Sequence, residues 1–267
     1  MSFNRKDYRA FPETGIHFSR GDQRKLKRIA SQVTLVSTVC PDYPHDGSKY
    51  TFKGELGTGI SLTADSHIRH VPDLIKGLDV LGIKARWLVL VADLPELTEK
   101  QAEFYRRVAA SKEDYIDRCE ASAAAIADKL GGMAEARTFS SWYAEHSFSY
   151  LDIQETVAGR IIDEAQRDRA FGGKFAAFCA MRQNLATKFR GRPLSAAELA
   201  EAAAHGMSLY VTHGSLLRKI FADQNLVVIN HFTPNLQNFF LSKFVPGCEH
   251  LENTAKFPLG VIDDSWY

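Results

Sequence analysis

The chain has 267 residues, 45% of them hydrophobic and 24% charged, with a formal net charge of +1. That is enough material for a buried core, and the balance excludes an intrinsically disordered chain and a uniformly basic nucleic-acid binder. No run of about twenty apolar residues marks a membrane span, and the polar start MSFNRKDYRAF lacks the apolar region of a secretion signal, so a cytoplasmic protein is expected. Cys40, Cys119, Cys179 and Cys248 are widely scattered, which fits neither a zinc pair nor a disulfide framework.

Residues 1–28 read as an irregular arm ending in a basic helical segment, in which Arg20 to Arg28 sets five basic residues against one acidic one. The first clear strand is Val33 to Val39, rich in β-branched residues and stopped by Cys40 and Pro41. A long loop from Asp42 to Gly59 follows, and loops of that length inside a domain are more often functional than idle. It leads into LGTGISLTADSHIRHVPDLIKGL, residues Leu56 to Leu78, around which the rest of the chain is organised. Gly57 and Gly59 let the backbone turn and approach a ligand, Ser61 offers a hydroxyl, and an apolar helical pattern then runs from about Ser66 to Val80. Asp65 or Ser66 could equally be an ordinary N-cap after an ordinary turn.

A second strong strand, Arg86 to Ala92, completes a βαβ unit. A helix from Thr98 to about Leu130 ends at Gly131 and Gly132, and Ala134 to Phe139 forms a short strand. Helix then runs from about Trp142 to Lys188 with a break near Gly172 and Gly173. Ser195 and Glu198 form a capping box for a helix reaching about Val211. Leu226 to Asn230 is a final buried strand, followed by a helix around Leu236 to Phe244 and a coil to Tyr267.

The alternation predicts one α/β domain over residues 1–267, with 1–28 as its basic arm: a doubly wound, mostly parallel sheet flanked by helices. Ligands of such sheets sit outside the carboxyl ends of the strands, so the loops after Val39, Ala92, Phe139 and Asn230 should bring Cys40, Ser61, Asp93 and His231 together. Basic runs at Arg24, Lys25, Lys27 and Arg28, and at Lys188, Arg190 and Arg192, could meet a phosphate backbone, although a solvated helix face is the commoner origin of either. His45, His67 and His70 have no carboxylate or cysteine at ligand spacing, so no metal is expected.

Taken in this order, the chain resembles the tRNA-dependent cyclodipeptide synthases, whose Rossmann-like fold is similar to the catalytic domain of class I tyrosyl-tRNA synthetases. Gly59-Ile60-Ser61 resembles the family's G-x-S-x-x-N nucleophile motif, Arg169 to Lys188 its Phe-rich helical segment, Leu209-Tyr210-Val211 the site of a catalytic Tyr, and Asn230 to Pro234 its Tyr-His segment. Thr63 to His70 is similar to the T-A-D-S-x-H-I-G-H signature of the tyrosyl enzymes. The chain departs from these patterns at Ala64 in place of Asn, Gly214 in place of a catalytic Glu, Asn230 in place of a second Tyr, and Arg69 in place of Gly. The family's arginine-rich helix is also absent from Thr98 to Leu130. The resemblance is thus to a divergent relative, in the manner of the branch that uses arginyl-tRNA.

The resemblance implies acyl transfer from aminoacyl-tRNA without ATP or any cofactor, giving a diketopiperazine through a covalent aminoacyl-enzyme. Ser61 is then the nucleophile, with Cys40 its rival because thiolates are intrinsically better nucleophiles. Tyr210 holds the substrate amine or relays a proton, His213 one turn on takes the acid-base role of the missing Glu, and His231 serves at the end of a buried strand. Gly59, His67, Asp93 and Asn230 contact substrate, and Asp42, Asp93 and Glu96 could select a cationic side chain. The chain is expected to act as a monomer or homodimer, away from membranes. Two other readings stay open: an ATP-using class I nucleotidyl-transfer or amino-acid-activating enzyme, working through Thr63 to His70, and a non-catalytic RNA-binding relative.

Overall fold

A computed structural model of the chain describes residues 8–10, 14–29, 31–39, 41, 60–93, 111–148, 150–190, 193–221, 224–230 and 259–262. The strands are β1 (Tyr8–Ala10), β2 (Ile16–Ser19), β3 (Gln32–Val39), β4 (Lys84–Val91), β5 (Ala134–Thr138), β6 (Leu226–Asn230) and β7 (Leu259–Ile262). The helices are α1 (Arg20–Leu26), α2 (Leu62–Val80), α3 (Lys112–Leu130), α4 (Phe139–Glu145), α5 (Tyr150–Arg167), α6 (Arg169–Arg190) and α7 (Ala196–Ile220). The chain divides into two compact units. One contains residues 1–142, 221–233 and 256–267, the other residues 143–220 and 234–255.

The first unit holds a seven-stranded sheet in the order β1-β2-β7-β6-β3-β4-β5. Strands β7, β6, β3, β4 and β5 run parallel, and the β1-β2 hairpin is added antiparallel at the β7 edge. Parallel strands covered on both faces read as continuous apolar runs, and β3 and β4 are buried from Val33 to Ser37 and from Trp87 to Val91. Val33, Leu35 and Val39 of β3, with Trp87, Val89 and Val91 of β4, pack with α2 and α3. Helix α2 contributes Val71, Leu74 and Leu78, and α3 contributes Tyr115, Cys119, Ala123 and Ile126, both at helical spacing. On the other face Val36, Leu88, Leu90 and Val228 are buried too.

Strands β6, β3, β4 and β5 are neighbours and parallel, so their carboxyl ends share one edge. Val39 pairs with Val91, Val91 with Thr138, and Ser37 with Ile229. The order of connection reverses between β3 and β6, which makes the carboxyl edge between these two strands the topological switch point.

The second unit is helical. Val157, Ala158 and Ile161 of α5, Phe171, Phe175 and Phe178 of α6, and Ala203, Ala204, Met207 and Val211 of α7 form its core. The helix break falls at Asp168, not at Gly172 and Gly173: the Asp168 carboxylate accepts from Ala170 N at 2.7 Å and Phe171 N at 2.9 Å, capping α6. Gly172 serves packing instead, since a Cβ there would lie 2.7 Å from the Ala165 carbonyl oxygen. The Ser195–Glu198 capping box forms in both directions, and its helix continues to Ile220, beyond the expected end at Val211. Within the arm expected to be irregular, residues 8–10 and 16–19 are strands, and Leu259–Ile262 is a strand where a coil was expected. These short segments carry little periodicity of their own, and the ladder of a neighbouring strand fixes them. The helix expected near Leu236 to Phe244, the start of the one expected from Thr98, and the loop from Asp42 to Gly59 lie outside the described residues.

Candidate active site

In the sheet-containing unit the site is built on the start of α2. Ser61 is the N-cap of this 19-residue helix, in extended conformation (φ −69°, ψ 162°). The helix therefore begins four residues before the expected Ser66, because the Ser61 side chain satisfies an end amide that Asp65 or Ser66 would otherwise have had to reach. Ser61 Oγ accepts from Ala64 N at 3.2 Å and lies 3.0 Å from Thr63 Oγ1. Both side chains are buried. A serine oxygen held here feels the partial positive charge of the helix N-terminus, which favours the negative charge a nucleophilic oxygen develops.

The rest of the Thr63–His70 segment is turned inward. His67 is fully buried, with Nδ1 2.8 Å from Ser37 Oγ of β3, and Trp87 Nε1 of β4 donates to the same hydroxyl at 2.9 Å. Two strands and a helix are thus joined through Ser37. Thr63, Ala64 and Ser66 are buried as well, and Arg69 pairs with Asp65 at 3.0 Å. The His70 ring lies against Gly15, where an added Cβ would come within 2.2 Å of Nδ1. Only a glycine admits the ring so close to the backbone. His67 thus packs against β3, and His70 lies against the backbone that leads into β2.

At the carboxyl edge of β4, Asp93 is 1% exposed. Its carboxylate accepts from Ser140 N at 3.1 Å and from the Ser140 hydroxyl. Burial pushes this carboxyl above its usual range, and the Ser140 donors pull it back in part. Asp93 and Ser140 come together because β4 and β5 are adjacent and parallel, so the chain leaving each arrives at the same edge. Thr138 Oγ1 donates to Ser141 Oγ at 2.8 Å in the same turn. Sequence reasoning missed Ser140; its signal was a serine two residues beyond a strand, at the edge where the loops were expected to converge.

In the helical unit, Tyr143 Oη of α4 lies 2.5 Å from His213 Nδ1 of α7. The rings meet edge to face, with centroids 6.2 Å apart. Burial lowers the His213 pKa to about 3, so the imidazole is neutral at pH 7, and the direction of its bond to the phenol follows the tautomer: Nδ1 accepts when the proton is on Nε2. His213 was expected to supply acid-base chemistry; the structure buries its ring against the Tyr143 side chain. Tyr143 was missed by sequence reasoning, since it lies 70 residues from its partner. Tyr210 and Asn230 lie on α7 and β6, but their side chains fall outside the described residues, as do those of Lys188 and Arg190. Cys40, Gly59, Arg192 and His231 lie outside them altogether. Arg24, Lys25, Lys27 and Arg28 are on α1 and the turn after it.

The strand order β5-β4-β3-β6-β7, with α2 between β3 and β4, defines a Rossmann-like α/β fold. No protein-family profile matches the chain, and no curated protein matches it in sequence. Among solved structures it is similar to the CDPS, a cyclodipeptide synthase, from Staphylococcus haemolyticus, with a TM-score of 0.51 over 97% of this chain and 100% of that chain. Identity is 16%, and the likeness is one of fold. Among the described residues no helix is long and apolar enough to cross a membrane.

Proposed function

We propose that this chain is an aminoacyltransferase that joins two aminoacyl groups, delivered by aminoacyl-tRNA, into a cyclic dipeptide without ATP. The observation that carries the reading is the extent of the structural likeness: it covers the whole of the synthase chain and nearly all of this one, rather than the shared nucleotide-binding core alone. The buried hydroxyl of Ser61 at the start of α2, on a parallel sheet whose ligands are expected at the carboxyl edge, agrees with it.

In the reaction, Ser61 Oγ attacks the ester carbonyl of the first aminoacyl-tRNA and the ribose hydroxyl departs with the proton, leaving a serine ester. The aminoacyl ester is already activated, so no nucleotide is consumed. The amine of a second aminoacyl-tRNA attacks the serine ester, forming the first amide and freeing the Ser61 hydroxyl; the amine of the resulting dipeptide then attacks the remaining tRNA ester, forming the second amide, closing the ring and releasing the product and the second tRNA. Overall, two ester bonds to tRNA break, two amide bonds form, and each departing ribose oxygen takes up a proton. Cys40 is the rival acceptor. Asp93, held by Ser140, is the candidate determinant for the substrate side chain.

The test is incubation of the purified chain with mixed charged tRNAs and no ATP, followed by mass spectrometry of small molecules and protein. A cyclic dipeptide together with an aminoacyl adduct on Ser61 or Cys40 establishes reaction class and nucleophile. Absence of both refutes the proposal.

A further inference from the structure

We infer that the α1 face binds the phosphate backbone of RNA through Arg20, Arg24 and Arg28, with Lys27 beside them. This rests on the proposed function, which makes tRNA the substrate, and it assigns a docking surface to that substrate.

The three arginines recur every four residues along α1 and the turn that continues it, with Arg28 N bonded to Lys25 O and Ile29 N to Leu26 O. A rise of about 1.5 Å per residue spaces them about 6 Å apart on one line. All three are exposed, and so is Lys27. Among the described residues no carboxylate pairs with any of the four, whereas Arg69, Lys76, Arg86, Arg118 and Arg137 each hold one.

The acid in the segment, Asp22, is consumed internally. It is buried, accepts from Ser19 Oγ at 2.6 Å and pairs with Lys25 at 2.9 Å. Lys25 therefore drops out of the cationic set that the sequence proposed, and Arg20 enters it. Arg24 Nε bonds the Arg20 carbonyl at 3.3 Å, which orients its guanidinium along the same line.

The occupant follows from charge complementarity. A row of unneutralised guanidiniums fits a polyanion with regularly spaced phosphates. A membrane surface is the poorer match, because the apolar residues of this segment, Leu26 and Ile29, face the core and leave nothing to insert between lipids.

The test is fluorescence anisotropy with fluorescein-labelled, uncharged tRNA, titrated with the full-length chain between 0.05 and 0.5 M salt. Compared are the unsubstituted chain, the triple variant Arg20→Gln, Arg24→Gln, Arg28→Gln, and the control Lys76→Gln. At about 0.7 per lost contact, the slope of log affinity against log salt falls by about 2 in the triple variant, and binding at 0.1 M salt weakens about a hundredfold. The control keeps its slope. An unchanged slope in the triple variant overturns the inference, and if the unsubstituted chain still makes cyclic dipeptide, the functional reading stands without this surface. Loss of slope with no product from the unsubstituted chain keeps the RNA surface and removes the synthase reading. Failure to bind tRNA, with α1-dependent binding to phosphatidylserine vesicles, overturns the inference in favour of a lipid surface.

Discussion

The buried pair Tyr143–His213 makes a quantitative prediction about acid stability. His213 has a pKa of about 3 in the folded chain because burial disfavours the imidazolium, and about 6.5 once unfolded. The unfolded state therefore binds the extra proton first. The stabilising contribution is complete above about pH 6.5 and is lost progressively as pH falls from there towards 3, at up to about 1.4 kcal/mol per pH unit. Lowering the pH from 7.5 to 5.0 should cost about 2 kcal/mol from this group alone. The variant His213→Asn places an amide oxygen near the position of Nδ1, so that Tyr143 keeps an acceptor while the titration is removed. Urea unfolding of both proteins at pH 7.5 and 5.0, followed by circular dichroism, isolates the effect as a difference of differences, in which carboxylates common to both cancel. Because the chain forms two compact units, each transition should be fitted separately if two resolve. If both proteins respond to pH alike, within about 0.5 kcal/mol where about 2 is expected, the buried neutral imidazole is refuted.

Ser61→Ala removes the α2 cap and should cost about 1 kcal/mol, whereas Ser61→Gly costs only a few tenths; thermal unfolding separates the two. Both should abolish product and adduct, and full product in Ser61→Ala with none in Cys40→Ala would move the acyl group to Cys40. Asp93 has its carboxyl raised by burial, so its contribution is favourable at low pH and is lost as pH rises through its folded value. Asp93→Asn should accordingly gain stability relative to the unsubstituted chain as pH rises from 4 to 8, and a pH-independent difference in unfolding midpoint would contradict this. Gly172→Ala forces a Cβ to 2.7 Å from the Ala165 carbonyl, an overlap with backbone that should destabilise by about 1–3 kcal/mol in denaturant titrations.

The sequence by itself determined the elements that carry strong local signals. The β-branched run of β3, the apolar runs of β4 and β6, the stripe of α2 and the Ser195–Glu198 box each satisfy a local rule, and each formed within a few residues of its expected place. The parallel sheet and the edge shared by its carboxyl ends followed from their alternation. What the tertiary structure decided depends on partners distant in the chain. Strands β1, β2 and β7 exist because neighbouring strands offer them hydrogen bonds. Gly15 is required because His70 of α2 packs on it, and Gly172 because Ala165 does. The chemistry divides in the same way. Ser61 was legible because a hydroxyl before a helix is a local pattern, but its role as the cap needed the geometry of the helix end. His213 reads as a reactive base in sequence, and only the fold shows that the Tyr143 hydroxyl reaches its ring. Local propensity depends on neighbours along the chain, whereas burial and charge pairing depend on neighbours in space.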